Sequence, residues 1–370
     1  MDCNATTPIE PEVGKLIRHF FEEEYGNEGS RTHEFGARAK AAVHQAREQI
    51  ARLVDAKIEE VIFTSGATES NNLAILGLAH WGRSHGKTHI VSSRIEHKAV
   101  LEPIEMLAKD GFEVDWVAPE RNGRIDPAKF MQRVRPSTLL VSLMHANNET
   151  GVIQPIAEVA DGLADHSAWF HVDAAQTFGK LLEPLKNHRI DLISASGHKI
   201  YGPKGVGVLI VRHRKKQKTP LTPLVYGGGQ EQGLRPGTLP VPLVVGLGLA
   251  AEMGEKEHGA RAKKCVEFRK KFLAAIEPLK PKIHGEEGQI LSHTANISFP
   301  GISAEEAMVR IRDQVAVSNG SACTSASYQP SHVLKAMGLE KEEIVGAVRF
   351  SWCHLTPEPD WGAMVSKLKK

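Results

Sequence analysis

Seven short apolar runs between residues 58 and 211 alternate with longer stretches of helical period, and no other feature limits the fold as much. The runs are VIFT (61–64), HIVSS (89–93), FEVDWVA (112–118), TLLVSLM (138–144), AWFHVD (168–173), DLISAS (191–196) and GVGVLIV (205–211). Several are apolar nearly throughout, as strands covered on both faces must be. Between them, ESNNLAILGLAHWG and PIAEVADGLADH place apolar residues at i, i+3, i+4 and i+7, the pattern of helices packed on a sheet. A mostly parallel sheet with helices on both faces, an α/β layer, is the economical solution.

The texture changes after about residue 255, where a Lys/Glu-rich helical stretch is followed by the strands ANISFP and AVRFSW. The expected division is a large domain over 10–257 and a smaller α+β domain built from 1–9 and 258–370. The Pro-punctuated ATTPIEP is extended and docks on the small domain or on the seam. Lys+Arg 46 against Asp+Glu 44 leaves a net charge of +2, too little to hold a nucleic-acid backbone. The one basic cluster, RHRKKQK (212–218), reads as a solvated turn. Cys3, Cys265, Cys323 and Cys353 include no C-x-x-C, so neither a zinc site nor a disulfide framework is expected. The start MDCNATTP lacks the features of a signal peptide. The longest apolar stretch, Leu239 to Ala251, is broken by Pro242, Gly246 and Gly248. A cytoplasmic protein with no membrane partner is expected.

In an open parallel sheet the ligand sits outside the carboxyl ends of the strands. Polar residues cluster there. Ser65-Gly66-Ala67-Thr68-Glu69 follows the first run as a small-residue turn opening a helix, either an anion cradle or an ordinary N-cap. Glu96-His97-Lys98 follows the second run, and His145-Ala146-Asn147-Asn148-Glu149 follows the fourth. Asp173 ends the fifth, with Gln176 one helical step on, and Ser196-Gly197-His198-Lys199 ends the sixth. No P-loop pattern is present. A lysine, an aspartate and a phosphate cradle at three strand ends are what a pyridoxal phosphate site needs: the lysine forms the Schiff base, the carboxylate keeps the pyridine nitrogen protonated, and the cradle anchors the phosphate. A nucleotide-binding enzyme is the competing reading. Far downstream, SNGSACTSAS (318–327) is a small-residue loop centred on Cys323, a setting that suits a nucleophile.

ATTPIEP, FTSGATESNNLAILG, EHKAVLEP, HANNETGVIQPI, HVDAAQ, SGHKIYGPKGVG, GGGQEQGLRPGT and SNGSACTSAS together resemble the group I cysteine desulfurases, of the IscS and NifS kind, from residue 5 to about 350. The resemblance implies a fold-type I pyridoxal phosphate-dependent transferase. It implies Lys199 as the cofactor's covalent anchor, with Ser196, His198, Ala67 and Thr68 on the phosphate. Asp173 would pair with the pyridine nitrogen, Gln176 and Asn148 with the ring oxygen, and His97 would stack on the ring and move protons. Thr238 would reach the phosphate of a neighbouring subunit, making the enzyme a homodimer. Arg349, with Asn148, would bind the carboxylate of the substrate L-cysteine. Cys323, on a loop of about 318–330, would take the sulfur as a persulfide, leave L-alanine, and deliver the sulfur to an acceptor or scaffold protein. That sulfur would serve iron-sulfur cluster assembly, tRNA thiolation or DNA phosphorothioate modification, without direct nucleic-acid contact.

The chain departs from the family where F-S-x-G-R-x-T is usual: here Cys353 and His354 replace the Gly and Arg. Cys353 is either packing or a redox or sulfur-relay partner. The chain also ends some 15 residues after that motif. Rival readings are another cofactor reaction on the same fold, such as a lyase or an aminotransferase, and a sulfur-carrying or scaffold protein with a degenerate site.

Overall fold

The computed structural model describes residues 1–214, 217–319 and 330–369. Every apolar run of the first half forms a strand: β1 (Val61–Thr64), β2 (His89–Ser93), β3 (Glu113–Val117), β4 (Thr138–Ser142), β5 (Trp169–Asp173), β6 (Leu192–Ser196) and β7 (Gly207–Val211). They build one sheet in the order β1-β7-β6-β5-β4-β2-β3. Only β7 runs against its neighbours; the other pairings are parallel. The reversal has a structural use. Gly207, the first residue of β7, lies opposite Ser196 at the end of β6 and opposite Thr64 at the end of β1. The residues that follow β1 and β6 therefore emerge on either side of one glycine.

Twelve helices surround this sheet and a smaller one. They are α1 (Pro11–Glu22), α2 (Glu34–Leu53), α3 (Ala67–Leu76), α4 (Ala79–Ser84), α5 (Lys98–Lys109), α6 (Pro127–Met131), α7 (Ile156–Gly162), α8 (Val241–Ile276), α9 (Ala304–Ile311), α10 (His332–Ala336), α11 (Lys341–Gly346) and α12 (Trp361–Lys369), counted among the described residues. Alternation along each strand feeds two cores. Val61, Phe63, Val208 and Ile210 face one core with α1, α2, α6, α7 and the first half of α8. Ile62, Leu209, Leu192 and Ile90 face the other, with α3, α4 and α5. Each fully buried Ile, Leu, Val or Phe contributes about 1.5–3 kcal/mol relative to exposure, so a one-residue slip of register would be prohibitive.

The second half forms an antiparallel sheet in the order β10-β9-β8, from β8 (Lys282–His284), β9 (Thr294–Ser298) and β10 (Ala347–Ser351). Its core joins Ile297, Val348 and Phe350 to Phe272 and Ile276 of α8, Ile311 of α9 and Met364 of α12. Helix α8 passes unbroken through residue 257 and serves both cores along its 36 residues. The chain's start lies on this second unit: Asp2 bridges Ser351 in parallel, and Cys3 N–H donates to Ser351 O at 3.1 Å.

Within the basic cluster Lys218 is exposed, as a solvated turn requires, and Lys215 and Lys216 lie outside the described residues, but Arg212 departs from that reading. Arg212 is buried, and its guanidinium donates to the carbonyls of Asn187, Ile190, Val54 and Leu185. Carbonyl ends left by irregular segments solvate that cation in place of water. Among the described residues, no helix is long and apolar enough to cross a membrane.

Candidate active site

The ends of β1, β2, β4, β5 and β6 meet in a cleft of about 450 Å³. Ala67, Thr68, His97, Asn148, Asp173, Gln176, Ser196, His198, Lys199 and Arg349 all line it, together with Asn4 and Ala5 from the chain's start. Of the residues singled out in the sequence, Thr238 lies elsewhere, exposed in the segment before α8. Cys323 lies outside the described residues. The described flanks of its segment are both held beside the cleft: Ser318 pairs with the Arg349 backbone, and Ser331 Oγ donates to Glu149 Oε2 at 2.5 Å.

The cradle forms at the start of α3. Its N-cap is Gly66 and no side chain caps it, which removes the plain N-cap reading of this turn. Ala67 and Thr68 thus stand in the first turn, where amide groups have no intrahelical acceptor and the helix dipole favours an anion. Backbone packing fixes the turn. A Cβ on Gly207 would lie 2.5 Å from Gly66 Cα, and one on Gly66 would stand 3.5 Å from Ser196 Oγ. Only a glycine at 207 lets β7 bring those two strand ends so close.

Asp173 is buried, and its carboxylate accepts from Asn71 Nδ2 at 2.8 Å and from the Ala175 N–H at 2.9 Å. His97 caps α5, its Nδ1 accepting from the Ala99 N–H at 3.1 Å. That leaves Nε2 as the protonated nitrogen of the neutral ring. Burial pulls the His97 pKa below its ordinary value; the Asp173 carboxylate, next in size, raises it, and the Lys199 cation lowers it again. His198 is lowered to about 4, first by burial and then by Lys199. Lys199 Nζ donates to the carbonyls of Asn4 and Ala5. The turn carrying it is strained: Tyr201 has φ of 66° and is pinned by Thr7, whose Oγ1 accepts the Tyr201 N–H at 2.9 Å.

Arg349, on β10, reaches the opposite wall. Nη1 donates to Asn148 O at 3.0 Å, Nη2 to Asp2 Oδ1 at 2.8 Å, and buried Nε has no partner among the described residues. Gln176 Nε2 donates to Asn4 O at 3.0 Å, while its buried Oε1 likewise lacks one. A buried carboxylate, orphaned polar atoms on two walls and an uncapped helix start fit a polar, phosphorylated, nitrogen-heterocyclic group.

Several residues at the site had been given no role from the sequence. Asn71 supports Asp173 and carried a faint signal, a polar residue on the sheet-facing side of α3. Glu96 is wholly buried behind His97, accepts from Ser93 Oγ and the Met144 N–H, and burial pushes its pKa up to about 8. Asp2 and Asn4 gave no local signal, because their role depends on contacts more than 140 residues away.

A lysine, a supported aspartate and a helix-start cradle at the strand ends of an α/β sheet place the chain among enzymes that use pyridoxal phosphate. The profile of the aminotransferase class-V family matches residues 1–360. A cysteine desulfurase IscS of Anaeromyxobacter dehalogenans (strain 2CP-C) is 43% identical over 379 residues, covering 100% of this chain and 93% of the relative. The crystal structure of DndA from Streptomyces lividans superposes with a TM-score of 0.85 at 48% identity, covering 94% of this chain and 98% of that one. A structure of SspA in complex with cysteine gives a TM-score of 0.84 at 38% identity, covering 95% and 97%. The chain belongs to the aminotransferase class-V family and, within it, to the pyridoxal phosphate-dependent cysteine desulfurases.

Proposed function

We propose that this enzyme converts L-cysteine and the Cys323 thiol to L-alanine and a Cys323 persulfide, then passes the sulfane sulfur to an acceptor protein. The observation that carries this reading is the convergence of Lys199, Asp173, His97 and Arg349 on one cleft, beside both flanks of the Cys323 segment. Pyridoxal phosphate, when bound, supplies an electron sink for bonds at the substrate's α and β carbons.

Lys199 is the covalent anchor. Ala67, Thr68, Ser196 and His198 would hold the phosphate. Asp173, oriented by Asn71 and Ala175, holds the ring nitrogen, and Gln176 and Asn148 address the ring oxygen. Arg349 offers a guanidinium fork to the substrate carboxylate, with Asn148 beside it. His97, kept neutral by burial and protonated at Nε2, takes up a proton at Nδ1 by giving up the Ala99 N–H, and returns it from the resulting imidazolium. The Cys323 sulfur forms its bond to the substrate sulfur as the Cβ–S bond breaks.

The proposal extends to assembly and location. Thr238 is exposed, and the same stretch before α8 also exposes Leu224, Val225 and Tyr226, at 41%, 64% and 79%; these exposed residues support a homodimer in which Thr238 reaches the phosphate of a second copy. The two main cores support a large domain of 10–257 and a small one of 1–9 and 258–370, although Val333, Leu334, Met337 and Ala347 of the latter pack into the large core. The enzyme works in the cytoplasm and feeds iron-sulfur, tRNA or DNA sulfur modification through protein partners. Alanine and protein-bound sulfane sulfur measured on the purified holoenzyme test this reading. Cofactor-dependent turnover of cysteine that leaves no sulfur on Cys323 would overturn it in favour of a lyase.

A further inference from the structure

Three of the four cysteines, remote in sequence, are folded near one another outside the cleft. Cys3 and Cys353 pack with Tyr201 as a small buried cluster of their own, 8% and 4% exposed. Their backbones run side by side, since Asp2 bridges Ser351 and the Cys3 N–H donates to Ser351 O. The two side chains share one buried cluster and one bridging hydroxyl. Thr356 Oγ1 lies 3.8 Å from Cys3 Sγ and donates to Cys353 Sγ at 3.5 Å. Beside them, Lys180 Nζ is fully buried with no hydrogen-bond partner among the described residues; burial lowers its pKa, and the sulfurs of Cys3, Cys265 and Cys353 act against that shift. An orphaned ammonium is costly unless an anion forms nearby. Here the available anion is a thiolate.

The two sulfurs are not equivalent. Cys353 is lowered to about 6, chiefly by the Cys3 thiol packed beside it, with Thr356, the Leu355 N–H and Lys180 assisting against burial. The Cys3 thiol is correspondingly pushed up, and burial pushes Cys265 up to about 12. Cys353 is therefore the nucleophile and Cys3 its neighbouring proton donor. Cys353 also stands where the family usually carries glycine, so this pairing is a property of this chain's own sequence.

We propose that Cys3 and Cys353 form a reversible dithiol–disulfide site that responds to peroxide. Cys353 Sγ attacks one peroxide oxygen; the O–O bond breaks, the second oxygen leaves as water, and Cys353 becomes a sulfenic acid. Cys3 Sγ then attacks that sulfur, the S–O bond breaks, and a second water leaves as the S–S bond forms. Two thiols lose two protons and two electrons, and one peroxide becomes two waters. The disulfide ties the chain's start to the segment after β10. That start carries Asp2 on Arg349 and the Asn4 and Ala5 carbonyls on Lys199, so the modified site adjoins two residues of the cleft.

The test is chemical mapping on holoenzyme, wild type and Cys323→Ala. Each is treated with near-stoichiometric hydrogen peroxide, alkylated in denaturant, digested and analysed by non-reducing mass spectrometry. The expected product is a peptide pair joining Cys3 to Cys353, roughly tenfold or more above any link to Cys265, and lost on reduction with dithiothreitol. In Cys3→Ser the sulfenic acid has no resolving partner, so dimedone labels Cys353. In Cys353→Gly, which restores the family's usual residue, Cys3 takes no label. Peroxide-treated wild type with Cys3 and Cys353 both fully alkylated, or linked mainly to Cys265, would overturn the proposal. Because the readout is mass and not turnover, it stands or falls separately from the desulfurase reading.

Discussion

Gly207→Ala tests whether backbone contact positions the phosphate cradle. The added Cβ would meet Gly66 Cα at 2.5 Å, Ala195 O at 2.6 Å and Gly66 C at 2.7 Å, where ordinary contact begins at 3.4 Å. All three are backbone atoms, so no side chain can swing aside. The Gly66–Thr68 turn must move by about 0.9 Å relative to β7 to relieve the shortest contact. Overpacking of this kind costs about 1–3 kcal/mol of stability. Displacing a positioning element by about 1 Å can lose on the order of a hundredfold in function, so pyridoxal phosphate should bind at least roughly tenfold more weakly. Titration of apoenzyme, followed by visible absorbance, reads the affinity, and urea denaturation reads the stability. Gly259→Ala is the control: it is exposed in α8, its Cβ would meet nothing within 4 Å, and the substitution should add about 0.5–1 kcal/mol without touching affinity. A Gly207→Ala enzyme with wild-type cofactor affinity would refute the reasoning.

Three further outcomes follow from the cleft. Arg349→Lys keeps the charge but loses the fork, about 1.5–3 kcal/mol per charged hydrogen bond, so KM for cysteine should rise roughly tenfold or more while the cofactor spectrum stays; steady-state kinetics checks this. Glu96 keeps its proton to about 8 when folded but loses it near 4.5 when unfolded, so the native state binds more protons between those values and stability falls as pH rises, by about 1.4 kcal/mol per unit from this residue. Glu96→Gln removes that slope, and denaturation at pH 5.5 and 7.5 measures it. Because burial lowers His97 below 6.5, the unfolded chain takes up its proton first as pH falls, and the acid limb of kcat should lie below pH 6.5 and vanish in His97→Gln.

Much of this was legible in the sequence, for identifiable reasons. Strands buried on both faces leave continuous apolar runs, so β1, β2 and β4 to β7 stood out, while the edge strand β3 showed by alternation, and the rule that ligands sit at strand ends picked out Asp173, Ser196 and Lys199. The direction of β7 was not legible, because an apolar run carries no sense of pairing. Asn71 was nearly hidden, since one polar residue on a helix face is a common event. Asp2, Asn4 and the Cys3–Cys353 contact were invisible for a stronger reason: they join residues separated by hundreds of positions, and only the return of β10 to the chain's start brings them together. Arg212 read as solvated because charge in a sequence gives no sign of the carbonyls that will surround it.

The central claim is that Cys323 takes sulfur from cysteine bound in the cleft. Purified holoenzyme, wild type beside Cys323→Ala, should be given L-cysteine while alanine, protein-bound sulfane sulfur and the visible spectrum are followed together. The expected result is alanine matched by sulfane sulfur in the wild type, and loss of both in Cys323→Ala with the cofactor spectrum intact. Undiminished sulfane sulfur in Cys323→Ala would contradict the account.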